Sequence, residues 1–244
     1  MDELAEKFLK TYQVWHHRRL LLQRGVFGDS PAAELAFIAQ ALASDVKNYH
    51  TWAYRQWVLA HFNQDALWAG ELRYVEDMLE EDIRNNSAWN HRFFVVFASG
   101  IRNEEKDRAD VVRRELTFVK EKIALAPNNA SAWNYLHGVL EHSETPFAML
   151  EQFVLPFTSS SPTIRGEGKE ESVVDLENPR PSPGADLPCP AAIEFLADIH
   201  EAAGGDEIPK AVSLWKSLAD RYDTTRKRYW EYRISDIHYP VRAD

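Results

Sequence analysis

The chain has 244 residues, of which 45% are hydrophobic and 27% charged, as in ordinary soluble globular proteins. Its formal net charge of −10 argues against a protein that holds nucleic acid mainly through phosphate contacts, because such proteins carry a basic excess. The sequence shows neither a secretory signal nor an apolar run approaching the ~18 residues of a membrane span, and its single cysteine, Cys189, cannot form an internal disulfide. We therefore expect a cytoplasmic protein without membrane insertion.

A segment centred on tryptophan recurs along the first half of the chain. Trp15, Trp52 and Trp89 are 37 residues apart, and Trp133 follows after 44. The seven additional residues fall between Gly100 and Asp110, a charged stretch that we interpret as a longer loop. A Glu-Leu pair begins 19 residues after Trp15 and Trp52, at Glu34 and Glu71. The pair at Glu115 begins 26 residues after Trp89, which is the same offset plus the seven additional residues.

A period of 37 residues predicts stacked units of two helices each. The first helix of each unit should begin at a polar residue four positions before the tryptophan, and residues of this kind cap helices well: Thr11, Asn48, Asn85 and Asn129. The second helix carries apolar residues at helical spacing, such as Leu35, Ile38 and Leu42. Ser30-Pro31 offers a cap and a first-turn proline for one of these second helices. The fold class is therefore all-α, a right-handed α-solenoid of stacked helical hairpins like a tetratricopeptide superhelix.

We expect one helical-repeat domain over residues 1–244, with units near 1–46, 47–83, 84–127, 128–156 and 191–235. The last unit is the weakest and contains Trp230 and Arg233 at the repeated spacing of three. Residues 157–190 are rich in serine, glycine and proline and poor in apolar residues. Since such a segment cannot bury enough surface to offset its ordering entropy, we predict a disordered insertion there.

An arginine follows three of the tryptophans at a distance of three residues, at Arg18, Arg55 and Arg92. We interpret the tryptophans as packing anchors between helices. The arginines are expected to pair with carboxylates or helix-end carbonyls of the next unit, and a ligand or partner contact is the alternative.

Basic residues also recur five positions before the first three of these tryptophans, at Lys10, Lys47 and Arg84. Positive charge at a helix start opposes the helix dipole, so a bound anion would explain it, although ordinary surface lysines would explain it equally well. Tyr12, Tyr49 and His50 flank the same edge. The adjacent histidines His16 and His17 point about 100° apart on a helix, and there is no second cysteine, so we expect no metal site in this chain. The residues alone thus indicate a helical scaffold with a candidate anion-binding edge.

The segments Lys10 to Arg19, Lys47 to Trp52 and Asn85 to Phe93 closely resemble repeats of the α subunit shared by protein farnesyltransferase and protein geranylgeranyltransferase type I. The resemblance runs from Leu9 to Leu140 and resumes near Arg226 to Tyr232. It implies a subunit that supports a β subunit in transferring farnesyl or geranylgeranyl from its diphosphate to the cysteine of a C-terminal CaaX motif. Zinc is then expected in the β subunit and magnesium in the farnesyltransferase form, and the isolated chain is expected to be inactive.

The resemblance also assigns site residues. Lys10 matches the lysine that stabilises charge on the diphosphate leaving group, a task that suits a fixed ammonium. Gln13 matches the residue that binds the terminal carboxylate of the CaaX peptide. The positions at or just behind that edge are Tyr12, Asn48, Tyr49 and His50 for substrate binding, with Arg18, Trp52, Arg55, Trp89 and Arg92 as supporting residues.

Two alternatives remain from the sequence. One is a non-catalytic helical adaptor, although tetratricopeptide repeats have a period of ~34 rather than 37 residues. The other is the Rab-type geranylgeranyltransferase α subunit, which carries related repeats. The family usually has an N-terminal segment and a further repeat before the lysine, whereas only nine residues precede Lys10, as in an N-terminally truncated or divergent short form. We therefore expect exposed apolar surface on the first unit.

Overall fold

The computed structural model describes residues 2–26, 30–98, 108–159, 175 and 177–238. Regular secondary structure in these ranges is helical throughout, without a β-strand, so the all-α prediction is confirmed. The chain divides into two compact units, Met1–Val111 and Val112–Asp244, which we call unit 1 and unit 2. Within the described ranges, no helix is both long and apolar enough to cross a lipid bilayer.

The described residues of unit 1 form seven complete helices, a short π-helical turn at Phe94–Ala98 and the start of an eighth helix. The helices are α1 (Asp2–Lys7), α2 (Tyr12–Gln23), α3 (Pro31–Ser44), α4 (Tyr49–Phe62), α5 (Asp65–Trp68), α6 (Glu71–Glu81) and α7 (Asn86–Phe93). Their core is built from apolar residues of α2, α3, α4 and α5, with α6 packed against it. Leu4 and Phe8, at the N-terminal end, are both 43% exposed, in line with the expected apolar surface on the first unit.

Unit 2 contains the remaining helices. They are α8 (Arg108–Leu125, which begins at the end of unit 1), α9 (Ala130–Ser143), α10 (Glu151–Val154), α11 (Pro190–Ala203), α12 (Ile208–Ser217) and α13 (Lys227–His238). The fourth unit predicted from the sequence therefore has only the short α10, flanked by 3₁₀ turns, where a full second helix was expected. Of the predicted loop Gly100 to Asp110, residues 100–107 lie outside the described ranges. Its last three residues belong to α8, which corrects the loop boundary.

The predicted helix starts are confirmed, because they are encoded by local hydrogen bonds. The side-chain oxygens of Asn48, Asn85 and Asn129 accept backbone N–H groups from the first turns of α4, α7 and α9. Ser30 caps α3 in the same way, with Pro31 as the first helical residue. Thr11 precedes α2 as predicted, but its side chain forms no capping hydrogen bond.

The repeated tryptophans are packing anchors, as predicted. Trp15, Trp52, Trp89 and Trp133 are at most 5% exposed. Each indole N–H donates to the carbonyl oxygen six residues earlier: Leu9 at 2.7 Å, Val46 at 2.9 Å, Ile83 at 2.8 Å and Pro127 at 2.8 Å. Each ring therefore fills the space between helices and also fixes the turn that enters its own helix.

The same carbonyl oxygen also accepts a hydrogen bond from the residue that precedes the first helix of the following repeat. Asn48 Nδ2 donates to the Leu9 oxygen at 3.3 Å, and Asn85 Nδ2 donates to the Val46 oxygen at 3.4 Å. In unit 2 this place is taken by Cys189, whose Sγ lies 3.0 Å from the Pro127 oxygen and which directly precedes α11. It follows that α11 is the first helix of the fifth repeat.

The predicted fifth unit, 191–235, is therefore corrected. Ile193 of α11 stands four residues after Cys189, where the earlier units have tryptophan. Trp230 lies in α13, one repeat further on, and its indole nitrogen is buried with no hydrogen-bond partner in the described part of the chain. A 3₁₀ turn at Thr224–Arg226 leads into α13. The earlier helices α4, α7 and α9 instead follow a single cap residue in extended conformation, respectively Asn48, Asn85 and Asn129.

The predicted disordered insertion at 157–190 needs a second correction. Residues 160–174 and 176 lie outside the described ranges. Phe157 is fully buried, however, and residues 177–189 are held along the end of α8 and the turn after it. The bonds that hold them are Lys120 Nζ to the Glu177 oxygen at 2.8 Å, Ser182 N to the Ala124 oxygen at 2.9 Å and Asn128 Nδ2 to the Asp186 oxygen at 2.8 Å. Hydrogen bonding to helix-end groups thus orders a segment whose composition predicted disorder.

Candidate functional site

Lys10, the predicted catalytic residue, lies between α1 and α2 with its side chain 87% exposed. Its amine is 3.9 Å from Asp45 Oδ2, and the equivalent Lys47 is 3.1 Å from Asp82 Oδ2. Each of these lysines thus faces an aspartate that lies just before the first helix of the following repeat. The sequence pattern did not predict this pairing. Exposed pairs of this kind contribute little to stability. The amine of Lys10, with the longer contact, remains accessible at the surface.

A groove of about 200 Å³ lies between α2 and α4. Its first lining residue, Tyr12, is two residues after Lys10 in the sequence. We call this groove the aromatic groove. It is lined by Tyr12, Trp15, His16, Arg19, Tyr49, His50, Ala53, Tyr54 and Trp57. Tyr12 and His16 are four residues apart on α2, so their rings lie on one face and stack with centroids 5.8 Å apart. Tyr49, at the start of α4, is 77% exposed at the edge of the groove.

The floor of the groove is a row of aromatic rings anchored in the core. Trp15 and Tyr54 are buried and lie 5.4 Å apart. Tyr54 stacks on Trp57 at 5.6 Å, and the guanidinium of Arg19 lies 4.6 Å above the Trp57 ring. Sequence reasoning missed His16, Arg19 and Trp57 as groove residues. The spacing of Tyr12, His16 and Arg19, at i, i+4 and i+7, was the signal that could have identified them.

Tyr12, Tyr49 and His50, which the sequence places on one edge, all line the groove, whereas Asn48 does not. Asn48 is buried, its amide nitrogen donates to the Leu9 oxygen and to Asp45 Oδ2, and its oxygen accepts the Thr51 N–H. These bonds occupy its side chain, so Asn48 supports the edge and is not available to bind substrate. Gln13 is exposed in the first turn of α2, beside Tyr12.

The repeated arginines are buried in ion pairs, which supports the structural interpretation of Arg18, Arg55 and Arg92. Arg18 binds Glu34 through two nitrogens and Asp2 through a third. Arg55 binds Glu71 at 3.0 and 2.6 Å and also donates to the Leu35 oxygen at 3.1 Å. Arg92 donates to Glu76 at 3.0 Å. The glutamate partners of Arg18 and Arg55 lie on the next helix of the same predicted unit, which corrects the expectation of partners in the following unit.

Glu71 also binds His91, a fully buried residue of α7. His91 Nε2 lies 2.8 Å from Glu71 Oε2, and its ring centroid is 4.9 Å from that of Trp52. Burial lowers the pKa of His91 more than the nearby Glu71 carboxylate raises it. Burial alone would raise the pKa of Glu71, but hydrogen bonds from His91 and Arg55 bring it below the ordinary value. His91 Nδ1 has no partner in the described ranges, which also favours the neutral imidazole.

A larger cavity, of about 730 Å³, lies within unit 2 between α9, α11 and α13. Its arginines are already paired: Arg226 with Glu194 at 2.9 Å and Arg233 with Asp198 at 2.9 Å. Burial raises the pKa of Asp198 to about 6, against the opposing effect of Arg233. None of the predicted site residues lines this cavity. Across the described residues of both units, no group of three or more His, Cys, Asp or Glu side chains could hold a metal ion.

The sequence from residue 1 to residue 143 matches the repeats of a known family. The family model for the protein prenyltransferase alpha subunit repeat matches residues 1–25, 31–62, 68–99 and 112–143. The chain belongs to the protein prenyltransferase α-subunit repeat family. Lys10, Tyr12 and Arg19 fall in the first matched segment of this prenyltransferase α-subunit repeat protein, and Tyr49 to Trp57 fall in the second.

Two relatives from Candida albicans resemble this α-subunit repeat protein. It is 31% identical over 128 residues to protein farnesyltransferase/geranylgeranyltransferase type-1 subunit alpha, an alignment that covers 52% of this chain and 34% of the relative. The chain thus spans about a third of the length of that curated relative. It also superposes on a chain of the solved protein geranylgeranyltransferase-I complexed with GGPP, with a TM-score of 0.76 and 29% identity, covering 97% of this chain and 70% of that chain. The predicted helical-solenoid fold is thereby confirmed.

Proposed function

We propose that this chain is the α subunit of a heterodimeric protein prenyltransferase that transfers farnesyl or geranylgeranyl to the cysteine of C-terminal CaaX motifs. Membership of the family and the likeness to a type-1 farnesyl/geranylgeranyltransferase α subunit support the proposal. The observation that carries it is the exposed amine of Lys10, two residues before Tyr12 of the aromatic groove.

In this proposal, Lys10 contributes directly to the chemistry. As the thiolate attacks the isoprenoid, the C–O bond to the diphosphate breaks and negative charge grows on the leaving oxygens. An ammonium placed near those oxygens stabilises the transition state more than the ground state. Because the Lys10 side chain is exposed and its contact among the described residues is the long one to Asp45, it can turn toward a diphosphate held by a partner subunit.

The neighbouring side chains bind and orient the substrates. Tyr12 and Tyr49 can donate phenolic hydrogens, and His50 can donate an imidazole N–H, to phosphate oxygens at the same edge. Gln13 is assigned to the terminal carboxylate of the CaaX peptide. Asn48, tied to Leu9 and Asp45, holds the turn that carries Lys10 close to the start of α4.

The proposal places the remaining machinery in the β subunit. Zinc, which would activate the cysteine thiol, and the isoprenoid pocket would belong to that subunit, and magnesium is expected to assist the farnesyl-transferring form. The isolated chain is therefore expected to be inactive, and the complex is expected to act in the cytoplasm.

Co-expression with a β subunit tests the proposal. The complex should transfer the isoprenoid in a single-turnover assay, whereas the chain alone should not. Lys10→Ala should lower the single-turnover rate by about 10²-fold, because it removes one charged group that stabilises the leaving oxygens, with a much smaller effect on peptide binding.

Lys216→Ala is the matched control, since this exposed lysine lies on α12 in unit 2 and should leave the rate unchanged. An undiminished single-turnover rate in Lys10→Ala would refute the role of Lys10. Absence of transfer by every complex of this chain with a β subunit would refute the assignment as a whole.

A further inference from the structure

Arg19 differs from the arginines that follow the repeated tryptophans. Arg18, Arg55 and Arg92 are buried and bind glutamates. Arg19 forms no hydrogen bond or ion pair with any residue that the structure describes, and its guanidinium carbon lies 4.6 Å from the centre of the Trp57 ring. Its hydrogen-bond donors are therefore not occupied by any residue that the structure describes.

The stack leaves those donors available for a ligand. A guanidinium that lies over a ring makes contact through its face, while its N–H groups point outward in its plane. Trp57 is itself fixed by the buried Tyr54, with the two rings 5.6 Å apart and inclined by 18°. Arg19 therefore lies over a ring whose own position is set by a buried neighbour.

The electrostatics of the groove favour a single negative charge. None of its lining residues is acidic, although the chain has 38 acidic residues against 28 basic ones. Arg19 is its one permanently charged lining residue. A carboxylate matches that charge and accepts the planar guanidinium fork through two parallel hydrogen bonds. The diphosphate of the proposed function instead needs the ammonium of Lys10, which is not among the residues that line the groove.

We propose that the aromatic groove is a carboxylate-binding site in which Arg19, held by Trp57, receives an aspartate or glutamate side chain of a bound polypeptide. The aromatic walls from Tyr12 and Tyr49 would cover the methylene groups of that side chain. The site lies entirely within unit 1, so it stands whether or not the prenyltransferase assignment holds.

Nuclear magnetic resonance of the full chain tests the proposal without a partner. The probe is N-acetylglutamate α-amide, which carries one side-chain carboxylate, and N-acetylglutamine α-amide is its neutral counterpart. The Trp57 indole N–H signal should shift saturably with the first compound and not with the second. Arg19→Lys keeps the charge but loses the fork, and it should raise the Kd at least about tenfold.

Arg24→Lys is the matched control, because Arg24 is an exposed arginine next to the end of the same helix and lies outside the groove; its variant should bind the carboxylate probe normally. Equal responses to the glutamate and glutamine probes would overturn the proposal, as would an unchanged Kd in Arg19→Lys. Inorganic phosphate forms a third arm. Binding of phosphate as tight as or tighter than that of the carboxylate would overturn the choice of ligand.

Discussion

Replacing Arg55 by methionine should destabilise unit 1 by about 3–5 kcal/mol, because it removes one partner of a buried ion pair. Arg55 and Glu71 are both buried and are joined by two hydrogen bonds of 3.0 and 2.6 Å. The substitution would also lose the bond from Arg55 to the Leu35 oxygen. Since His91 still donates to Glu71, we expect a value toward the lower end of that range.

Native-state hydrogen exchange is the suitable assay, because a chain with two compact units need not unfold in one step. The amides of α4 and α6 should report the loss. Replacing both partners, as Arg55→Met with Glu71→Leu, should cost less than the sum of the two single changes by about 0.5–3 kcal/mol, since no buried charge is then left alone.

Arg73→Met is the control for losing an arginine on the same helix pair. Its ion pair with Asp77 is exposed, so its removal should cost no more than about 0.5 kcal/mol. The reasoning would be refuted by a loss below about 1 kcal/mol in Arg55→Met, or by single changes that add within about 0.5 kcal/mol in the double variant.

Two further predictions concern His91 and the repeated tryptophans. Burial holds the pKa of His91 below its ordinary value of 6.5, so the unfolded chain binds more protons and the stabilisation from neutral His91 decreases as pH falls below that value. The difference in urea midpoint between the wild type and His91→Gln should therefore shrink between about pH 7.5 and about pH 5.5, and a constant difference would contradict this. Trp52→Phe should lower the opening free energy of unit 1, measured by native-state hydrogen exchange, by about 1 kcal/mol more than Trp230→Phe lowers that of unit 2. The reason is that the Trp52 indole donates a hydrogen bond to the Val46 oxygen, whereas the Trp230 indole has no partner among the described residues. An equal or larger loss in Trp230→Phe would show that the indole–carbonyl bond contributes nothing.

The features that the sequence predicted well are those encoded within one turn or one helix. Asn48 and Asn85 cap their helices because an asparagine oxygen reaches a backbone N–H only two or three residues away. Trp52 bonds a carbonyl only six residues before it. Such contacts repeat with the sequence period, so the period identifies them.

The candidate site was predicted only in part, because it depends on two helices from different repeats. Lys10, Tyr12 and Tyr49 were recognised from the pattern and from resemblance. Arg19 was not, since its role depends on a ring 38 residues later in the chain. Asn48 was assigned to substrate because its burial and its bond to the Leu9 oxygen are not visible in a linear pattern.

The amino-acid sequence by itself determined the helical class, the 37-residue repeat, the helix starts and the family, since all of these follow from local and periodic contacts. Only the tertiary structure decided which charges are neutralised and which remain available. It paired Arg55 with Glu71 and ordered residues 177–189 on the end of α8. It also left the donors of Arg19, above Trp57, without a partner among the described residues. The physical reason is that pairing and burial depend on distances between side chains far apart in the chain, which packing of the helices sets.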